Sequence, residues 1–305
     1  MAARLGLKVD VDTFQGFREG VPALLEILNS RGIKASFFVA LGPDNSGRAI
    51  FRVFRQQGFL RKMLRTRAPA LYGLKTMLYG TLLPAPLIGA AAGEILPRIA
   101  AAGHEVGLHG YDHVRWHDRL FDMAKIEVAQ EISQAQGIYG AVLGGPAAAF
   151  AAPGWQCSAE ALAVLGELGF LYASDTRGRG PYFPRFGGQT FSTLEIPTTL
   201  PTLDELLGLD GCGPADFNRL ILSRLEGGGF QVLTVHAEVE GGPFKDNFAR
   251  LLDESLAQGV EFFRLEDRAR ELLQQPGDIP VAQVLPRRRI PGRAGTVSVQ
   301  GEDQS

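Results

Sequence analysis

Short apolar stretches alternate with amphipathic ones along the chain, and many of the apolar stretches end on polar residues. Leu5-Gly6-Leu7-Lys8-Val9-Asp10-Val11-Asp12 predicts a first strand ending in two aspartates. Their i, i+2 spacing puts both on one face of an extended chain, aimed at the same cavity. Residues 19–30 carry Val21, Leu24, Leu25 and Leu28 at helical spacing, with Pro22 tolerated in the first turn. Residues 33–41 predict a second strand, so strand, helix and strand make a parallel βαβ unit and an α/β chain. Further helices are predicted at 94–102, 121–139, 159–168, 248–258 and 265–273. Further strands are predicted before His109, at 147–155 running into a turn, and at 170–175, 193–197, 230–236 and 260–263. Polar residues at successive strand ends are how barrel enzymes assemble their sites.

Residues 45–93 break the pattern. No Asp or Glu occurs between Asp44 and Glu94. Arg48, Arg52, Arg55, Arg61, Lys62, Arg65, Arg67 and Lys75 interleave with Phe51, Phe54, Phe59, Leu60, Met63 and Leu64. A nearly uncharged run follows, interrupted by Pro69, Gly73, Gly80, Pro84 and Pro86, too broken for a spanning helix of about 20 apolar residues. A basic, aromatic segment followed by an apolar one suits the face of an anionic membrane; the plainer reading is a helical cover with solvated arginines.

The chain's 305 residues suffice for a sizeable core, and a net charge of −2 gives no global field for nucleic acid. Two cysteines, Cys157 and Cys212, make no disulfide framework and suit a reducing compartment. A strand so near the N-terminus leaves no room for a secretory signal, so the cytoplasm is the expected location. Residues 1–275 are expected to form one catalytic unit with a membrane-facing insertion at about 45–93. The basic, then polar, stretch 276–305 is expected to be a flexible tail.

The densest chemistry lies in Gly103-His104-Glu105-Val106-Gly107-Leu108-His109-Gly110-Tyr111-Asp112-His113. His109 and His113, four apart after an apolar run, would aim two imidazoles at one point, and Asp12 would add a carboxylate. A Zn²⁺-like ion held there acidifies water and polarises a carbonyl. Asp10 stands beside it as general base, and His236, from a distant strand end, as the acid that protonates a leaving amine. Each residue has a dull explanation alone: loop histidines, a helix cap, a solvated strand end. His104 and His117 read as structural or exposed. Together the set describes metal-assisted hydrolysis of an amide.

Asp10-Val11-Asp12, His109-Gly110-Tyr111-Asp112-His113, Ala152-Pro153-Gly154-Trp155, Asp175 and Val235-His236 follow the order of the five motifs of NodB-type polysaccharide deacetylases, which the chain resembles from about residue 5 to 273. The stretches Val9–Phe14, Arg18-Glu19-Gly20-Val21-Pro22, Gly42-Pro43-Asp44-Asn45, Glu105–His109 and Val235-His236-Ala237-Glu238-Val239-Glu240-Gly241 are similar to one branch of that superfamily. That branch removes a formyl group from 4-deoxy-4-formamido-L-arabinose carried on undecaprenyl phosphate.

The resemblance implies a distorted (β/α) barrel of the NodB deacetylase type and a divalent metal, Zn with Co, Mn or Ni as alternatives. It implies action at the cytoplasmic face of a bacterial inner membrane, in the lipid A modification that confers polymyxin resistance. By motif, Asp10 is the base, His236 the acid, and Asp12, His109 and His113 the ligands. Trp155, Asp175, Arg177 and Glu238 are candidates for contact with the sugar. Three departures stand out: Val11 separates the two aspartates, Gly110 replaces a hydroxyl residue, and Ala151 replaces the arginine that orients the base, a role for which Arg177 is the expected substitute. A deacetylase of other N-acetylated sugars and a sugar-lipid-binding scaffold with an idle site are the competing readings.

Overall fold

The protein is described from a computed structural model covering residues 3–54, 59–66 and 73–303. Arg55 and Arg67 of the basic segment lie outside the described residues. Strands β1 (Ala3–Val11), β2 (Ser36–Val39), β3 (Glu105–Leu108), β4 (Ala149–Phe150) and β5 (Tyr172–Ala173) run parallel, side by side. β6 (Phe183–Phe186) and β7 (Gln189–Thr190) leave for a second sheet, and β8 (Leu194–Glu195) returns beside β5. β9 (Gly229–His236) pairs with β1 along residues 3–10, while β10 (Glu261–Phe263) flanks only the start of β1. After β8, Thr199 N and Leu200 N both donate to Val232 O of β9 at 3.1 Å, so the ring closes irregularly. This is the distorted barrel expected from the sequence.

Helices clothe the outside: α1 (Val21–Asn29), α2 (Phe59–Arg65), α3 (Ala92–Ala101), α4 (His113–Arg119), α5 (Lys125–Leu143), α6 (Ala159–Glu167), α7 (Leu203–Leu206), α8 (Pro214–Leu225), α9 (Ala237–Glu240), α10 (Lys245–Ala257) and α11 (Leu265–Leu272). Along β1, Leu5, Leu7, Val9 and Val11 join the apolar layer beneath these helices. The alternate positions Lys8 and Asp10 point the other way, as the pleat requires. A second apolar cluster, with Phe38, Ala149, Tyr172, Leu194 and Val232, is built from strand residues of the barrel. The helix expected from residue 19 begins instead with a π-helical turn, Gly16–Gly20, before α1. A Cβ on Gly20 would stand 2.0 Å from Ala237 O, so this turn docks directly on the backbone of α9.

The stretch expected to be a flexible tail is folded. β11 (Val281–Arg288) and β12 (Val297–Asp303) pair with each other, and β11 pairs with β6, in a four-stranded second sheet. The reason is period-2 burial: Ala282 and Val284 pack with Cys157, Leu162, Tyr182 and Phe191 in a cluster of their own.

Away from the strand C-termini, Glu105 ties the frame together. It accepts hydrogen bonds from Ser36 Oγ, from Tyr172 Oη at 2.7 Å and from Glu266 N at 3.0 Å. Burial pushes its carboxyl from 4.5 up to about 7 against these bonds. A folded-state pKa above the unfolded one contributes stability that is full below about pH 4.5 and lost as pH rises through 7. Glu105→Gln is therefore expected to flatten the fall in unfolding free energy between pH 5 and 8, measured by urea titration. An unchanged slope would refute this.

Candidate active site

The site gathers where strands end. Asp12 follows β1, His109 follows β3, and His236 closes β9. Asp112 caps α4, accepting from Val114 N and Arg115 N at 3.0 Å, so His113 opens that helix. Asn45 Nδ2 donates to Asp112 Oδ2 at 2.7 Å, and Asp44 accepts from Phe14 N at 2.8 Å. The Gly42-Pro43-Asp44-Asn45 stretch thus fixes the loops that carry Asp12 and His113.

Asp12 Oδ1 lies 3.2 Å from His109 Nε2, and Oδ2 lies 3.3 Å from His113 Nε2. The three candidate donor atoms fall within 4.8 Å of one another. His109 Nδ1 donates to Ala151 O at 2.8 Å, a contact that orients the ring so that Nε2 faces Asp12. Burial opposes ionisation of Asp12, but His113, His109 and His236 outweigh it and hold the carboxyl well below the usual range. Burial lowers His113 to about 4, against the pull of Asp12, so its imidazole is neutral at pH 7. A carboxylate and two imidazoles, with Asp12 Oδ1 buried and lacking a hydrogen-bond partner, suit a divalent cation.

Asp10 is almost fully buried and its Oδ1 has no partner; its Oδ2 lies 3.2 Å from Lys8 Nζ. Lys8 also donates to Ser174 O at 3.2 Å and lies 5.4 Å from the Trp155 ring. Lys8, not Arg177, is therefore the cation that holds the predicted base. Arg177 instead pairs with Glu205 at 2.6 Å, donates to Leu200 O at 2.8 Å, and stacks 5.0 Å from the Trp155 ring. Asp175 is fully buried, shares its surroundings with Lys8 and Glu195, and is pushed up by burial and then by the Glu195 charge.

His236 Nδ1 lies 3.9 Å from Asp204 Oδ1, and its backbone N donates to Glu240 at 2.8 Å. Burial works against its protonation, yet Asp204, Asp12, Glu240 and Asp10 raise its pKa. Glu238 is buried with neither oxygen partnered. Burial, then the charge of Asp12, raises its pKa well above the usual carboxylate range.

These groups meet in a cavity of about 580 Å³ that Asp10, Asp12, His109, His113, Trp155, His236 and Glu238 help to line. Asp175 and Arg177 stand behind its wall. Sequence reasoning missed Lys8, Asp204, Lys62 and Arg293, and set aside His117, which lines the cavity. His117 is held by Asp118 at 2.8 Å and closely fitted against Gly154, where any Cβ would collide with the ring.

The insertion forms the outer wall. Of the ten large apolar side chains exposed among the described residues, seven lie between 50 and 87, led by Leu82 (81%), Leu64 (71%) and Leu74 (71%). Ile50, Leu74, Leu78 and Leu82 reach the cavity itself. Several basic residues of the segment are turned inward, rather than to a membrane face or to solvent. Lys62 pairs with Asp204 at 2.5 Å, Arg52 with Asp118 at 2.8 Å, and Arg65 donates to Leu207, Glu205 and Gly292 carbonyls. No described helix is long and apolar enough to cross a membrane.

A distorted parallel barrel with this site at its strand ends defines a hydrolase of the carbohydrate esterase and deacetylase kind. The chain belongs to the polysaccharide deacetylase family, whose profile matches residues 7–173. It is 39% identical over 298 residues to a probable 4-deoxy-4-formamido-L-arabinose-phosphoundecaprenol deformylase of Shewanella sediminis, covering 97% of this chain and 94% of that one. A relative of the same description from Wigglesworthia glossinidia brevipalpis is 33% identical over 287 residues, covering 93% and 98%. The crystal structure of a putative polysaccharide deacetylase from Mycobacterium smegmatis shares the fold, with a TM-score of 0.62 at 20% identity over 90% of this chain and 91% of that one.

Proposed function

We propose that the protein removes the formyl group from 4-deoxy-4-formamido-L-arabinose linked to undecaprenyl phosphate, at the cytoplasmic face of the inner membrane. Such a step belongs to the lipid A modification that confers polymyxin resistance. The observation that carries the reading is one cavity with two characters: a carboxylate and two imidazoles at the strand ends, and exposed leucines of the insertion at its outer wall. A polar sugar on a polyprenyl chain needs both. The descriptions of the two deformylase relatives support the choice of substrate.

Asp12, His109 and His113 would hold a divalent metal, Zn²⁺ foremost, with Co, Mn or Ni as alternatives. When bound, it acidifies water and polarises an amide carbonyl. Asp10, fixed by Lys8, accepts a proton from the attacking water through its unpartnered Oδ1. His236, supported by Asp204, gives a proton to the departing amine, so formate and the 4-amino sugar result. Trp155 forms one side of the sugar cavity, and Glu238 lines it with both carboxyl oxygens unpartnered. Arg177 and Asp175 support the wall from behind. The exposed leucines rest on the membrane surface.

The test is formate release from the formamido-arabinose phospholipid by metal-loaded protein, beside the chelated form. Release confined to the metal-loaded form supports the reading. Acetate released from N-acetylated sugars, with no formate from the phospholipid, would transfer the assignment to a deacetylase.

A further inference from the structure

Beside the catalytic cavity lies a second one of about 400 Å³, sharing Phe51, Arg52, His117 and Arg293 with it as common wall. Arg287 and Arg289 join these at its exposed side. The two carboxylates in its lining, Asp118 and Asp122, are both committed: Asp118 to Arg52 and His117, Asp122 to Arg119 at 3.4 Å. Four guanidinium groups and two paired carboxylates thus line one concave site.

Two of those guanidinium groups carry buried donors without a hydrogen-bond partner, Arg52 Nη2 and Arg293 Nε. A buried N–H of a charged group left unmade is costly unless a ligand completes it. Arg293 is further held 4.6 Å from the Trp155 ring and 3.8 Å from Glu205, which fixes its position at the junction of the two cavities. Burial lowers the Arg293 pKa, and Glu205 and Asp204 pull it up more than Arg177 and Arg52 push it down, so cations and carboxylates crowd together at this junction. Planar donors in this density are suited to a phosphoryl group, which accepts from several at once.

We propose that the cleft between Arg52 and Arg293, with Arg287 and Arg289 at its mouth, binds the phosphate that joins the sugar to its lipid. This rests on the reading of a lipid-phosphate-linked sugar as substrate. It assigns the C-terminal segment a part in recognition: the catalytic residues stand on strand ends, whereas three of the four phosphate ligands come from residues 287–293. With phosphate anchored beside His117, the formamido end of the sugar is directed towards His113, whose ring centroid lies 6.5 Å from that of His117.

The experiment is equilibrium binding of undecaprenyl phosphate in detergent micelles to the metal-loaded full chain, with neutral undecaprenol micelles as reference. The wild type is expected to bind the phosphorylated lipid at least about tenfold more tightly than the neutral one. Arg287→Glu with Arg289→Glu is expected to remove that preference while leaving undecaprenol binding as it was. Both positions are exposed, and Arg289→Glu alone provides a second variant that keeps the Arg287 contact with Phe121. Inorganic phosphate competing for the site would support recognition of the phosphoryl group itself. Competition by phosphatidylglycerol vesicles but not by inorganic phosphate would make the cleft a seat for membrane headgroups and overturn the proposal. An undiminished preference in both variants would overturn it too. Because binding is read without turnover, absence of formate release would count against the deformylase reading and not against the phosphate cleft.

Discussion

Asp12→Asn is expected to lower formate release by at least about 10³-fold and to leave purified protein with little bound metal, while the melting temperature changes by only a few degrees. The substitution is nearly isosteric, so packing around β1 survives; what goes is the carboxylate charge facing the two imidazoles. Without that charge, His109 Nε2 and His113 Nε2, at 3.2 and 3.3 Å from the carboxylate, make a weak two-nitrogen site. The several kcal/mol that a Lewis acid supplies to an amide hydrolysis then disappear with the metal, and each 1.4 kcal/mol is a factor of ten. Metal content by elemental analysis and formate by enzymatic assay are the two readouts. Full turnover by a metal-free Asp12→Asn protein would dismiss the assignment of this trio.

The second large effect is expected at His236. His236→Gln should reduce kcat by about 10² to 10⁴ while metal content stays at the wild-type level, as befits a proton donor that is not a ligand. Its partner offers a finer measurement. Asp204 is the strongest of the groups that raise the His236 pKa against burial. An acid works only while protonated, so activity falls as pH rises through that raised value. Asp204→Asn takes away the largest raising influence and should shift the alkaline limb of the pH–rate profile to lower pH. A limb that stays in place in Asp204→Asn would mean another group donates the proton.

Much of this site was legible in the sequence because its residues follow local rules. Asp10 and Asp12 share a strand face by i, i+2 spacing, and His109 and His113 straddle a strand end and a helix start that Asp112 caps. Lys8 was legible by the same rule and overlooked: the alternation that turns Asp10 inward turns the residue two before it inward as well. Arg177 stood two residues from Asp175 and looked available, but the buried Glu205 claims it. No local pattern announces that partner.

Asp204, Lys62, Arg52 and Arg293 enter the site through contacts between segments far apart in sequence, which periodicity does not encode. The C-terminal strands were hidden by composition. The arginines, the glycines and Pro291 from 287 onward masked the Val281–Leu285 alternation that places Ala282 and Val284 in a core.

The bond from Arg65 to the carbonyl of Gly292 spans 227 residues of sequence. Wall segments that a ribosome delivers early must therefore wait for some of the latest segments before they can settle. Contacts of such long loop closure are slow to form. The barrel can gather its strands and its two histidine loops while the leucine-bearing rim is still unsecured, so the rim is the natural last step of assembly and the place where a half-made molecule would present its stickiest surface to chaperones and bilayers alike.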